Sequence, residues 1–322
     1  MTTDVIPLGT ASALPTEDRH LSSVAVERKG RILLFDCGEG TQYRLLHADL
    51  NRARVDAIFI THLHGDHCYG LPGLLSTLAL QQRSDPMTLV VPPGGRAMLE
   101  AIPGGGPDEV PFPLRIREMG ADLTHAVVYD TDEVAVEARP LDHRTFAMGF
   151  RLEERARPGR FDPEAARALG VPEGPAFGQL QDGEAVTAVD GTTVQPDQVL
   201  GPPRPGISFA YVTDTRPCDG GRALAADADL LYHDATFADA HEERAETTGH
   251  STARQAATVA QDAGARRLLL GHLSARYPDP TPLGREAQEV FSGAEVAEEL
   301  RRYALDPREK EPGSSSGGDV QR

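Results

Sequence analysis

The run Thr61-His62-Leu63-His64-Gly65-Asp66-His67 places four metal-capable side chains within six residues. It lies where an apolar segment, Val55-Asp56-Ala57-Ile58-Phe59-Ile60, gives way to the helix-like Gly70-Leu71-Pro72-Gly73-Leu74-Leu75. In extended backbone His62 and His64, two positions apart, point the same way. Asp66 and His67 are adjacent, so a turn can aim them at a second point. That pattern suits two metal ions held side by side, and paired ions do hydrolytic chemistry, often on phosphate esters. One histidine alone reads more readily as an ordinary surface or core residue. The full His-x-His-x-Asp-His run at a strand-to-helix turn does not.

The elements that position these residues are short. Val5–Leu8, Ser23–Glu27, Arg31–Phe35 and Ala57–Ile60 read as strands, with Lys29-Gly30 as a hairpin turn. Thr88–Val91 and Val134–Ala138 follow, and 103–107, with three glycines between two prolines, reads as a loop. Strand patterns resume at Ile207–Val212, Leu230–Tyr232 and Arg267–Leu270, with helical patterns at Ser251–Ala263 and Gly284–Val290. Strands and helices alternate in both halves, as in an α/β fold. Three more segments set a ligand-type residue just past an apolar strand: Leu141-Asp142-His143, Thr213-Asp214-Thr215 and Gly271-His272-Leu273-Ser274. Such positions are where sites are built. With the first run they make seven candidates: His62, His64, Asp66, His67, His143, Asp214 and His272. Five imidazoles and two carboxylates suit zinc, and manganese or iron could occupy a similar cage.

Residues 151–205 differ in character, being rich in Pro, Gly and short polar stretches. Asp162 before Pro163, with Gly170 as a stop, predicts one helix over Pro163–Leu169. The apolar content is too thin for an independent core, so the segment reads as an insertion or arm. From Arg151 to Arg160 there are four arginines against two glutamates, a pattern that fits phosphate contact as well as a solvated surface. Residues 306–322 are polar with Gly and Ser, and disorder is expected there.

Five segments, the metal run among them, carry a resemblance. They are Leu33–Gln42 (LLFDCGEGTQ), Phe59–Gly73, Thr213–Pro217, His233-Asp234-Ala235-Thr236-Phe237 and Gly249-His250-Ser251-Thr252; Gly271–Tyr277 closes the match. The metal run alone resembles the metallo-β-lactamase superfamily. The others narrow the resemblance to the ribonuclease Z family of transfer RNA 3′-processing endonucleases, from about Val5 to Tyr277. The resemblance implies an αββα sandwich over residues 1–305 with a flexible arm at 151–205 that grips the tRNA elbow. It implies a homodimer with two zinc ions per subunit, one held by His62, His64 and His143, the other by Asp66, His67 and His272, with Asp214 between them. Asp36 resembles a buried acidic residue that steadies the site.

The implied reaction removes the 3′ trailer from precursor tRNA. Paired zinc lowers the pKa of water to about 7, and hydroxide attacks the phosphorus 3′ to the discriminator nucleotide. Asp66 would accept the water's proton. His250, set by Asp234, would protonate the leaving 5′ oxygen. Arg19, Arg160, Ser251, Thr252 and Arg276 are candidate phosphate contacts. Two departures stand out. Asp234 occupies a position where the family often has Glu, and its shorter side chain is expected to reach less far toward His250. The family's Pro-x-Lys-x-Arg-Asn loop, which influences how CCA ends are treated, reads Pro15-Thr16-Glu17-Asp18-Arg19-His20 here.

Composition bounds these readings. The chain has 322 residues, 39% of them hydrophobic, with no Trp, and a formal net charge of −17. Acidic excess argues against nucleic-acid binding in dilute buffer. Yet the only lysines are Lys29 and Lys310, and acidic, lysine-poor chains resemble proteins from molar-salt cytoplasm, such as that of halophilic archaea. There the Debye length falls to about 3 Å, so RNA remains a possible substrate. Three widely spaced cysteines, Cys37, Cys68 and Cys218, suggest a reducing cytosol and argue against a β-lactamase. No apolar run approaches a membrane span, and the start lacks a signal pattern. The same metals would serve a small-molecule phosphodiesterase of the superfamily, although such an enzyme needs no remote arm. A scaffold with a decayed site conflicts with the complete ligand set.

Overall fold

The computed structural model describes residues 3–102 and 108–306. The loop expected at 103–107 and the tail expected at 307–322 lie outside them. The described chain divides into a larger unit, up to Glu153 and from Ser208 to Asp306, and a smaller one, Glu154–Ile207.

The larger unit holds two seven-stranded sheets. The first runs in the order Tyr303–Leu305, Thr3–Gly9, Ser23–Arg28, Arg31–Phe35, Val55–Phe59, Met87–Val91, Leu114–Glu118. The second runs Ala294–Val296, Leu268–Gly271, Leu230–Asp234, Ser208–Val212, Ala147–Glu154, Val134–Leu141, Ala126–Asp130. In each sheet an antiparallel half joins a parallel half: Arg31–Phe35 through Leu114–Glu118 in the first, Ser208–Val212 through Ala294–Val296 in the second. Lys29 and Gly30, both at positive φ, form the tight turn between two antiparallel strands.

Side-chain alternation shows how the sheets stack. Ile32, Leu34, Ile58 and Ile60 face outward onto helical Leu71, Leu74, Leu75 and Leu78. Phe35 and Phe59, one residue out of phase, face inward. Phe35 meets Phe150, Phe209 and Tyr211 of the second sheet, with ring centroids 5.5–6.1 Å apart. On the second sheet Ala210, Val212, Leu231, Leu268 and Leu270 cover the other outer face beneath Ala253, Ala256, Ala257 and Ala260. The period of two thus sends one residue set to the shared interior and the other to a helical layer, which makes a helix–sheet–sheet–helix sandwich.

The smaller unit has the expected helix, Pro163–Ala168, whose N-cap Asp162 accepts from the Glu164 and Ala165 amides. It departs from the sequence reading in two ways. It has a core of its own, in which Ala166, Val171, Leu180, Val186, Val194 and Val199 pack with Phe161 and Phe177; the contributing residues are scattered singly, so no apolar run announces them. It also starts later than expected. Arg151 lies inside the Ala147–Glu154 strand, and its guanidinium donates to the Leu224 and Ala226 carbonyls at 2.7 and 2.6 Å. Arg151 is therefore withdrawn from any basic patch.

Candidate metal centre

The predicted ligands sit beyond the ends of strands, on loops carried by both sheets. After Val55–Phe59 the backbone stays extended through His64 (φ −66°, ψ 145°), then winds into the four-residue helix Gly65–Cys68. The extended stretch sends His62 and His64 the same way, with His62 Nε2 2.8 Å from His64 Nδ1. The turn carries Asp66 and His67 to a neighbouring point. Asp214 and His272 follow strands of the second sheet at φ +51° and +55°. Non-glycine residues held in that region are uncommon and cluster at functional sites.

All seven candidates converge. The donor atoms of His62, His64, His143 and Asp214 lie within 4.8 Å of one another, as do those of Asp66, His67 and His272. Asp214 faces both groups: Oδ1 is 2.9 Å from His272 Nε2 and 3.3 Å from His67 Nε2, while Oδ2 is 3.3 Å from His62 Nε2 and 3.9 Å from His143 Nε2. Asp66 Oδ2 lies 3.4 Å from His67 Nε2 and 3.6 Å from His272 Nε2.

Outer hydrogen bonds orient four of the imidazoles alike. The Nδ1 atoms of His62, His67, His143 and His272 engage Thr61 Oγ1 (3.0 Å), Asp36 Oδ2 (2.7 Å), the Gly249 carbonyl (2.7 Å) and Thr236 Oγ1 (2.9 Å). Each ring therefore presents Nε2 to the centre, the arrangement by which outer partners set metal ligands. His143 Nε2 is buried with no hydrogen-bond partner, an orphan that a divalent cation would satisfy. Gly249 is required for this contact: its φ is +80°, and an added Cβ would come within 2.9 Å of His143 Nδ1.

Charge in the centre fits cation binding. Burial pushes the His143 pKa down to about 4, so a neutral imidazole is ready to donate a lone pair. Burial opposes ionisation of Asp214, but the facing His272, His67 and His62 outweigh it and hold the carboxyl well below its ordinary value.

Asp36 lies beneath the first sheet's contribution, fully buried at φ +57°. Its carboxylate accepts from the Thr61 amide (2.8 Å), the Thr61 hydroxyl, His67 Nδ1 and the Tyr211 hydroxyl (3.0 Å). Sequence reasoning did not single out Tyr211, Thr61 or Thr236 for these roles. Their only signal is a hydroxyl within or just past an apolar strand.

Next to the cage, His250 Nδ1 lies 2.8 Å from Asp234 Oδ2. Its ring stacks on His272 with centroids 5.2 Å apart. The expectation that Asp234 falls short is therefore corrected. Asp234 ends its strand at the point where the turn after Gly249 brings the imidazole inward, so the shorter side chain suffices. Asp234 also accepts from the Thr215 and Thr236 amides and the Thr236 hydroxyl. Those bonds engage both its oxygens, and a carboxylate oxygen of Asp234 also lies within 4.8 Å of donor atoms of Asp214, His250 and His272, a third cluster beside the first two.

The candidate phosphate contacts divide. Arg160 and Arg276 are exposed. Arg19 is turned inward, donating to the Ser274 and Tyr277 carbonyls at 3.2 and 2.8 Å. Ser251 is buried and donates to the Thr215 carbonyl. Thr252 caps the Ala253–Asp262 helix in a reciprocal bond pair with Gln255. Internal bonding thus explains these last three without any substrate.

The sandwich with its paired His/Asp clusters at one end defines a protein of the metallo-β-lactamase fold. A family model described as a beta-lactamase superfamily domain matches residues 198–273, and one described as anti-Pycsar protein Apyc1 matches residues 3–102. The ribonuclease Z of Salinibacter ruber is 74% identical over 97% of this chain and 97% of its own length. That of Haloferax volcanii is 46% identical over 97% and 98%. The crystal structure of the short form of human tRNase Z superposes with a TM-score of 0.66 at 29% identity, covering 93% of this chain and 98% of that one. The chain belongs to the ribonuclease Z family.

Proposed function

We propose that this protein is a zinc-dependent endoribonuclease that cuts the 3′ trailer from precursor tRNA, holding two zinc ions per subunit. The observation that carries the reading is the convergence of seven His and Asp donors on two adjacent points, in a chain of this family. His62, His64 and His143 would hold one ion and Asp66, His67 and His272 the other, with Asp214, whose two oxygens face both groups, available to each. When bound, the pair supplies Lewis acidity to the scissile phosphate and lowers the pKa of the attacking water.

The chain's own groups do the rest. Asp66, with Oδ2 fixed by the Ala13 amide at 2.8 Å, accepts the proton of the attacking water. His250, outside the cage and fixed by Asp234, donates a proton to the departing 5′ oxygen. The products are a 3′-hydroxyl tRNA and a 5′-phosphate trailer. The Glu154–Ile207 unit, with exposed Arg155 and Arg160, serves as the grip on the tRNA elbow. The enzyme works in the cytoplasm as a homodimer. Among the described residues no helix is long and apolar enough to cross a membrane.

The test offers purified protein zinc, a 3′-extended precursor tRNA and a chromogenic phosphodiester, at low and at molar salt. Endonucleolytic release of an intact trailer supports the reading, with the salt arm showing whether the acidic surface needs screening. Turnover of the small diester alone would point to a phosphodiesterase of the same fold.

A further inference from the structure

Glu299 lies outside every segment that marks the site in the sequence. It sits in the crossover between the Ala294–Val296 strand of the second sheet and the Tyr303–Leu305 strand of the first. Its side chain is 9% exposed and accepts five hydrogen bonds. Oε1 takes the Thr10 amide (3.0 Å), the Thr10 hydroxyl (3.2 Å) and the His20 amide (2.8 Å); Oε2 takes His20 Nδ1 (3.0 Å) and the Arg44 guanidinium (2.8 Å). The next residue, Leu300, is held at φ +65°, and its amide donates to the Pro7 carbonyl.

A nearly buried carboxylate with this many partners is costly to assemble and conformationally specific. Its partners identify what it holds. Thr10 and His20 are the two ends of one loop. Within that loop Ala13, at φ +58°, donates its amide to Asp66 Oδ2. The Thr10 carbonyl accepts from Leu273, the residue after His272. Ala11–Ser12 pairs with Leu273–Ser274, and Arg19 ties the same loop to Ser274 and Tyr277. One of these contacts reaches Asp66 itself, and the others hold residues 273, 274 and 277, the backbone that directly follows His272. None touches His62, His64 or His143. The His20 ring that bonds Glu299 stands where the family loop carries Asn.

We propose that Glu299 is a positioning residue for one half of the metal centre. By gripping both ends of the Thr10–His20 loop it sets the Ala13 amide that orients Asp66 and the backbone that seats His272. The proposal rests on the two-ion reading above and predicts unequal consequences for the two ions.

The test is stepwise zinc binding to the full-length metal-free protein, by competition with a chromophoric chelator. Wild type should bind two ions. Glu299→Gln keeps the shape but loses the charge; it should weaken one binding step by about 10- to 100-fold, the range for lost outer partners of metal ligands, and leave the other unchanged. In an Asp66→Asn background, where the Ala13 contact no longer orients a carboxylate ligand, adding Glu299→Gln should cost less than it does in wild type, since only the route through His272 remains. His20→Ala, which removes one bond of the five, should produce a smaller effect in the same direction and serves if Glu299→Gln does not fold. A merely structural Glu299 would lower thermal stability while leaving both affinities unchanged, or weaken both equally; either result overturns the proposal. Fewer than two ions on wild type would instead overturn the reading beneath it.

Discussion

At the residue scale the histidines of the centre divide their labour through the nitrogen each commits to an outer partner. Four imidazoles have Nδ1 engaged and Nε2 aimed inward, while His250 has Nδ1 on Asp234 and stands outside the cage. His250→Ala should therefore retain zinc and fold, yet cleave precursor tRNA about 100-fold more slowly or worse, the usual worth of a general acid; wild-type turnover would remove His250 from the reaction. Protonation of the ligands gives a second expectation. Burial presses His67 and His272 toward neutrality, but Asp214 facing both reverses the balance, lifting His272 to about 10 and His67 well above its ordinary value. In the metal-free protein both therefore hold a proton more tightly than a free imidazole does, and an entering cation must displace it. Zinc affinity should thus climb as pH rises from neutrality toward about 10, with proton release seen as a dependence of calorimetric heat on the buffer's ionisation enthalpy. Affinity flat over that window would contradict the assignment.

At the scale of elements, legibility tracked local signal. The Val55–Phe59 and Arg31–Phe35 strands were readable because each, apart from half-buried Asp56 and Arg31, is apolar and buried on both faces. Leu114–Glu118 was not singled out although its alternation of apolar and Arg residues is a strand signal, because it is short and directly follows Pro111 and Pro113. The boundary of the smaller unit was misplaced because Arg151 reads as surface charge, whereas carbonyls near the Asp219–Ala225 helix end capture it. That unit has its own core, so removing it is expected to leave the sandwich folded. Deleting residues 155–203 should raise KM for precursor tRNA and spare hydrolysis of a small phosphodiester. Equal loss on both substrates would remove the arm from tRNA recognition.

At the scale of the molecule, the site exists because two sheets, each with a parallel half, bring strand ends from distant parts of the chain to one place. Crevices beyond such ends are where α/β folds bind ligands. All seven candidate ligands were legible, because each is a chelating type following an apolar run. Their supports were not: Tyr211, Thr236 and Glu299 act through contacts between segments far apart in sequence. The chemistry depends on whether this convergence holds two cations. The direct measurement is anomalous X-ray scattering at the zinc absorption edge from crystals of the zinc-loaded protein. Two peaks are expected about 3.5–4 Å apart, one facing His62, His64 and His143 and one facing Asp66, His67 and His272, with Asp214 reaching both. A single peak, or peaks away from these seven side chains, would contradict a two-cation centre.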